Sequence, residues 1–342
     1  MKKNFISIII PTRRKNQILR RCLNSLSKQT YSPSCYEIIL VSKRKIKINQ
    51  PGIKIKIITI SPKINHAEAR NMAVKKARGE IIAFCDDDCI LPQNWLSTAS
   101  AYFTQKRVDL IGGPIIPPKE RFFSCRLGAY LSGSKFAVGP SAPRWRKAYP
   151  EQKANAFNLI LANTFMRKNC FMAVGGFDAR QVPCEENLLY YKLQQKGYKL
   201  LYTPKITCLH PSKPIFLPYA RKVFFYSTGR GILLAKEPQT SQLAFWIPSF
   251  FVIALLAIPL LSLFSKTALF ILLVMLSIYS VLNFAQAFYI FWFREKDLRI
   301  LLAAPIATFL LHLSYGLGVL KGFSRYKLGK RGGVLMPNIP KA

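Results

Sequence analysis

Residues 67–96 read AEARNMAVKKARGEIIAFCDDDCILPQNWL, and the order of patterns in this stretch decides the fold. Ala67 to Ala77 reads as a helix, and Glu80 to Cys85 (EIIAFC) as a buried strand. Asp86-Asp87-Asp88 then closes that strand, and a further helix is expected to begin near Pro92. Three adjacent carboxylates at the end of a buried strand repel one another unless something positive sits between them. A divalent cation is the natural partner, because Mg2+ and Mn2+ are hard ions that take oxygen ligands and leave room for substrate phosphates. The plainer reading is a solvated acidic turn capping the next helix. It loses ground because the whole chain has only 15 acidic residues and three of them stand here.

Working toward the N-terminus, Phe5 to Ile10 (FISIII) is a β-branched run closed by Pro11-Thr12 and followed by Arg13-Arg14. Asn16 to Gln29 carries Ile18, Leu19, Cys22, Leu23 and Leu26 at helical spacing. Tyr36 to Val41 supplies a second strand and Ile53 to Ile60 a third apolar stretch. Strands alternating with helices predict a parallel sheet covered on both faces, with ligands bound at the carboxyl ends of the strands. The basic start Met1-Lys2-Lys3-Asn4 precedes an apolar run too short for an export signal, so this domain is expected to stay in the cytosol.

Toward the C-terminus, Glu185-Glu186 lies between Pro183 and the helical run Leu188 to Lys196. Carboxylates in a first helical turn are favourable capping groups, and they are equally suited to act as a general base. Spacing alone leaves both readings open. His210 follows the strand-like Leu200 to Thr203; with no second His or Cys at zinc spacing, a zinc site is not expected. The eight cysteines are scattered without a CxxC pair and are expected to be reduced, packing as small hydrophobes.

The formal charge of +36 comes from 51 basic against 15 acidic residues. Nucleic-acid binding is one reading of such a balance, but the basic residues are spread out and no nucleic-acid module accompanies them. Anionic lipid and diphosphate-bearing substrates account for the charge more economically. From Leu243 to Leu320 the chain turns almost wholly apolar, and Leu243–Phe264, Thr267–Trp292 and Ile300–Leu320 each reach the roughly 20 residues that cross a bilayer as a helix. Basic residues before the first segment (Arg221, Lys222, Arg230, Lys236) and between the last two (Arg294, Lys296, Arg299) put both flanks in the cytoplasm. Three crossings would export a tail that itself carries Lys321, Arg325, Lys327, Lys330 and Arg331. The third segment, with Pro305, His312, Ser314, Gly316 and Gly318, is therefore read either as a crossing or as a re-entrant or interfacial hairpin. Pro218 to Glu237 mixes aromatics with basic residues and is read as an interfacial amphipathic helix or as one packed on the domain.

In their order along the chain, SIIIPTRRKNQILRRCLNSLSKQT, EIILVS, the 67–96 stretch, GGP, ANTFMRKNCFMAVGGFD, CEENLLYYKLQQKGYKLLYTP and His210 resemble the family 2 glycosyltransferases of GT-A fold, in particular membrane-bound bacterial members that build polysaccharides or glycolipids. The resemblance covers residue 6 to about 235. It implies a Rossmann-like nucleotide-diphospho-sugar transferase domain over 1–217, an interfacial segment over 218–242, membrane helices over 243–320 and a basic tail over 321–342. It further implies that Pro11, Thr12, Arg13, Arg70, Asn71, Asp86, Asp87 and Asp88 face the donor. Asp88, Asp86 and His210 would hold Mg2+ or Mn2+, and Glu186, with Glu185 as its alternative, would be the catalytic base. The implied activity is inverting, metal-dependent transfer of a sugar from a nucleotide sugar to a lipid-linked or glycan acceptor at the plasma (inner) membrane, with no nucleic-acid partner. Two departures from the family pattern stand out. Ser42-Lys43-Arg44 replaces the aspartates that commonly read the nucleotide base, and Glu186 stands where aspartate is usual. They leave the donor nucleotide open, and they keep a catalytically silent membrane scaffold or nucleotide-sugar binding module as the alternative.

Overall fold

The computed structural model describes residues 4–12, 17–48, 50–118, 122–212 and 214–332. Arg13, named above as donor-facing, and the part of the basic tail over 333–342 lie outside these residues. The chain forms two compact units: Met1–Pro118 with Pro143–Pro211, and Lys119–Ala142 with Ser212–Ala342.

The first unit begins with β1 (Ile6–Thr12), α1 (Gln17–Ser27), β2 (Tyr36–Ser42), β3 (Ile55–Thr59), α2 (His66–Lys76), β4 (Ile81–Cys85) and α3 (Trp95–Gln105). The apolar runs of β1, β2 and β4 are enclosed, as strands covered on both faces must be. Asn65 starts α2 with a capping box: its side chain accepts from Glu68 N–H while Glu68 accepts from the Asn65 N–H. β1 pairs in parallel with β2 on one side and β4 on the other, and β2 with β3. The strand order 3-2-1-4 reverses direction at β1, so a crevice opens between the carboxyl ends of β1 and β4.

Beyond β4 the sheet departs from the all-parallel expectation. β5 (Leu110–Gly112), β6 (Ile115–Ile116), α4 (Phe123–Ser132), α5 (Lys135–Val138), β7 (Gln152–Lys153), β8 (Asn163–Arg167), α6 (Lys168–Ala173), α7 (Glu185–Gln195), β9 (Leu200–Tyr202) and β10 (Cys208–Leu209) follow. β8 inserts between β4 and β5 and is antiparallel to both, and β7 is antiparallel to β9. A parallel neighbour needs a crossover that returns the chain to the same end. β8 instead arrives after the long excursion through residues 113–162 and runs back the other way. β6 and β10 form a separate short parallel pair. Gly113 permits it, because a Cβ there would stand 1.8 Å from the Ile206 carbonyl oxygen.

The second unit contains α4 and α5 together with α8 (Leu217–Lys236), α9 (Leu243–Ser262), α10 (Lys266–Phe293) and α11 (Arg299–Gly332). The boundary read from hydropathy assigns residues 119–142 to the catalytic domain, whereas the fold groups them with the apolar helices. Leu127, Leu131 and Ala137 pack with Ala287, Ile290, Ile300, Ala304 and Ala307, a partnership invisible in local sequence. Helices α9, α10 and α11 are each long and apolar enough to cross a membrane. α11 continues past Leu320, so Lys321, Arg325 and Lys327 are helical residues rather than a tail. No Gly or Pro interrupts the chain strongly enough there to stop it before Gly332.

Candidate active site

The acidic triplet sits in the crevice between β1 and β4. Its three carboxylates part ways. Thr12, at the end of β1, donates its hydroxyl to Asp87 Oδ2 at 2.6 Å, which draws the middle carboxylate aside. Asp86 and Asp88 instead converge with His210, and one ligating atom from each of the three lies within 4.8 Å of the others. His210 comes from 122 residues further along the chain. It is delivered by backbone: Ile90 and Leu209 exchange two 2.8 Å hydrogen bonds, and the His210 N–H donates to the Ile116 carbonyl.

The histidine's polarity follows from its partners. Nδ1 lies 3.0 Å from the Pro211 carbonyl oxygen, which can only accept, so Nδ1 carries the proton. Nε2 then faces Asp88 Oδ1 at 3.1 Å and Asp86 Oδ2 at 4.0 Å. Burial works to lower the imidazole pKa, but the hydrogen bond to Asp88 and the surrounding negative groups prevail and raise it to about 9. The cluster thus calls for positive charge at this point, and either a proton on Nε2 or a metal cation supplies it. Two carboxylates and one imidazole suit Mn2+ or Mg2+, and the carbonyl-anchored Nδ1–H is how a ligating histidine is usually oriented. Asp86 and Asp88 side chains are 41% and 22% exposed, so the cluster is open to a ligand.

Arg70 links this cluster to the second acidic pair. From the buried face of α2 it places Nη1 3.1 Å from Glu185 Oε1 and Nη2 3.6 Å from Asp86 Oδ1. Glu185 and Glu186 open α7, but they are not equivalent. Glu185 is buried, and burial together with repulsion from Glu186 raises its carboxyl well above the usual range against the pull of Arg70. Glu186 is half-buried. The nearby Tyr190 phenol, raised by burial, feels the charge of Glu186 from one side and those of Arg144 and Arg70 from the other.

Other expected donor residues have different occupations. The Asn71 amide donates to the Phe177 carbonyl at 2.8 Å and accepts the Phe177 N–H at 3.0 Å, fastening the Gly-Gly-Phe turn. Gly176 in that turn has φ +68°, and a Cβ would press to 2.7 Å on the Asn71 oxygen, so glycine is needed. Pro11 lies within β1, one residue before Thr12. Asn163, fully buried, accepts from Trp95 Nε1 at 2.8 Å and donates to the Pro114 and Ile206 carbonyls, tying together α3, β8 and the two-stranded ribbon that leads to His210.

The family model for glycosyl transferase family 2 matches residues 7–175, which takes in β1 from its second residue and the acidic triplet and ends at the first glycine of the Gly-Gly-Phe turn. The chain carries a family 2 glycosyltransferase domain. Glycosyltransferase AglE of Haloferax volcanii is 25% identical to this glycosyltransferase over 228 residues, covering 61% of this chain and 68% of AglE. O-antigen biosynthesis protein RfbC of Myxococcus xanthus is 23% identical over 223 residues; the match covers 60% of this chain but only 17% of RfbC. Among solved structures, a mannosyltransferase from Pyrobaculum calidifontis, in complex with GDP-Man and Mn2+, superimposes with a TM-score of 0.59 at 15% identity. The superposition covers 91% of this chain and 88% of that one, and it identifies the fold of this glycosyltransferase as GT-A.

Proposed function

We propose that this glycosyltransferase moves a sugar from a nucleoside-diphosphate donor to a membrane-associated acceptor with inversion at the anomeric carbon. The observation carrying this reading is the convergence of Asp86, Asp88 and His210 at the β1/β4 crevice, connected through Arg70 to the carboxylates of α7. The cation and GDP-mannose bound by the Pyrobaculum mannosyltransferase are of the classes this site would take.

Asp86, Asp88 and His210 would hold the divalent cation. When bound, that cation supplies positive charge to the departing diphosphate. Arg70 adds a guanidinium beside the same carboxylates, kept in place by Glu185. Glu185 is thus committed to an ion pair. Glu186, one residue on and half-buried, is the carboxylate left to take the proton from the acceptor hydroxyl as that oxygen attacks the face opposite the leaving diphosphate. Such a displacement requires no covalent link to the protein. A lipid-linked or membrane-emerging acceptor fits an enzyme with apolar helices on the same chain, and the cytosolic face of the plasma membrane is the location in which nucleotide sugars are at hand.

The test is binding and Mn2+-dependent turnover across UDP-, GDP- and dTDP-sugars, using membranes with wild type, Asp88→Ala, Glu185→Gln and Glu186→Gln. Asp88→Ala is expected to abolish metal-dependent donor binding, and Glu186→Gln to keep binding while lowering turnover by about 100-fold or more. Donor binding that ignores Mn2+ and Asp88 would overturn the metal assignment. Full turnover in Glu186→Gln would overturn the base assignment.

A further inference from the structure

Helix α11 has the length and apolarity of a membrane span, yet its contacts within the second unit are those of a helix laid across the foot of a hairpin. α9 and α10 form that hairpin, joined by a turn at residues 263–265. Phe251 of α9 stacks on Tyr279 of α10 at 4.5 Å, marking a common level roughly 20 Å from the turn at about 1.5 Å per residue. Below that level lie the start of α9 and the end of α10, which must share one membrane face if both helices cross.

α11 meets this lower part and reaches up to the Phe251–Tyr279 level through Phe309 and His312. At its beginning, Ile300 and Ala304 pack with Ala287 and Ile290 of α10. Further on, the Pro305 carbonyl accepts from Asn283, Thr308 meets Gln286, and His312 meets the Tyr279 hydroxyl at 3.1 Å. A third span antiparallel to α10 would next climb along the first turns of α10. α11 instead passes to the start of α9: the Gly316 carbonyl accepts from Ser249 at 3.3 Å, and Phe323 packs edge-on against Trp246 at 5.1 Å. Neither α9 beyond Val252 nor α10 before Asn283 contributes any buried residue. Ile300 at the start of α11 and Phe323 in its later part therefore both lie at the foot of the hairpin.

Helix α8 belongs to the same layer. It runs parallel to α11, with Ser227 against Gly318 and the Ser314 carbonyl, Thr228 against Gly322, and Gly231 against Val319. Its end leads into the start of α9 at the same foot. The basic residues agree with this arrangement. Arg221, Lys222, Arg230 and Lys236 of α8, Arg294, Lys296 and Arg299 of the last connection, and Lys321, Arg325 and Lys327 of α11 all fall on one side, whereas Lys266, next to the turn, stands on the other.

We infer that the chain crosses the bilayer twice, through α9 and α10, and that α8 and α11 lie side by side in the anionic headgroup layer of the face from which the hairpin enters. The conflict between three apolar segments and a basic C-terminal stretch then disappears, because that stretch never leaves the side on which the chain began. The inference stands on the packing of the second unit and does not depend on the chemistry proposed above.

Sidedness tests it. The full chain, with one epitope tag before Met1 and a different one after Ala342, is expressed in cells, and inverted and right-side-out vesicles are treated with protease. Lys266→Cys, a change at an exposed turn residue, is probed in parallel with a membrane-impermeant maleimide against the parent chain as background. Two crossings require both tags to be cut in one vesicle orientation and Cys labelling above background only from the opposite face. Tags cut in opposite orientations would mean that α11 crosses, and labelling from the same face as both tags would mean that the hairpin does not; either result overturns the inference.

Discussion

Arg70 shows how much can depend on one side chain. Its fork reaches Glu185 with one nitrogen and Asp86 with the other, so a single residue joins the start of α7 to the Asp86–Asp88–His210 cluster. A lysine at this position has one compact charge and cannot satisfy both partners. Arg70→Lys is therefore expected to lower kcat by roughly 10- to 100-fold, by the loss of one charge-assisted contact of about 1.5–3 kcal/mol, while leaving the fold intact. Steady-state kinetics beside a thermal melt checks this, and an unchanged kcat would remove Arg70 from the machinery. Asn163 presents the opposite case, a residue whose value is structural. Asn163→Ala would strand the Trp95 N–H and two backbone carbonyls in the interior, and about 2–4 kcal/mol of stability is expected to be lost. Denaturant unfolding in detergent would read that loss as a lower midpoint.

Between elements, the first unit is bolted by a buried carboxylate that motif reading passed over. Glu37 on β2 accepts from the Ser7 hydroxyl of β1 at 2.7 Å, from the Arg78 N–H at 2.8 Å and from Arg78 Nε at 3.2 Å; Ser7 in turn accepts from Gly79 N–H. Burial alone would push the Glu37 pKa up, but the hydrogen bonds from Arg78 and Ser7 outweigh it and hold the carboxyl below the usual range. The sign follows from that direction. A depressed folded pKa gives stability that is complete above the unfolded value near 4.5 and is lost as pH falls through the folded one. Glu37→Gln is expected to cost about 2 kcal/mol at pH 7, and the gap to wild type should narrow on acidification below pH 4.5. Melting curves from pH 3 to 7 would show this convergence. In the second unit the corresponding contact is made of small residues: a Cβ on Gly231 would come within 2.1 Å of the Val319 carbonyl oxygen, which is backbone and cannot rotate away. Gly231→Val is expected to push α8 off α11 and lower the melting temperature in detergent by several degrees, whereas Tyr226→Val on the exposed face should not.

For the whole molecule, charge and hydropathy act together. A chain of net charge +36 held only by electrostatics would leave an anionic membrane in high salt, since surface attraction is screened over about 10 Å at 0.1 M ionic strength. Two apolar helices of 20 and 28 residues add an anchor that salt does not touch. The protein is accordingly expected to stay with the membrane fraction through 1 M salt and alkaline carbonate and to come off only with detergent. Release by either wash would mean that the apolar helices do not cross.

The sequence alone determined the class of the molecule and most of its elements. Period and composition mark β1, β2, β4, α1 and α2 to within a residue or two, because each is stabilised by its own apolar face, and the apolar runs of α9 and α10 are as plain. Asp86 and Asp88 were legible for a related reason: adjacent carboxylates at a strand end are conspicuous in so basic a chain. Tertiary structure alone decided what depends on residues far apart. It turned Asp87 toward Thr12, brought His210 across 122 residues by way of Ile90 and Leu209, and gave Glu185 rather than Glu186 to Arg70. It ran β8 antiparallel and moved residues 123–138 from the catalytic unit to the helical one. Hydropathy measures only how apolar a helix is along its length; the direction in which α11 lies is set by which neighbours its side chains meet, and those neighbours are chosen in three dimensions.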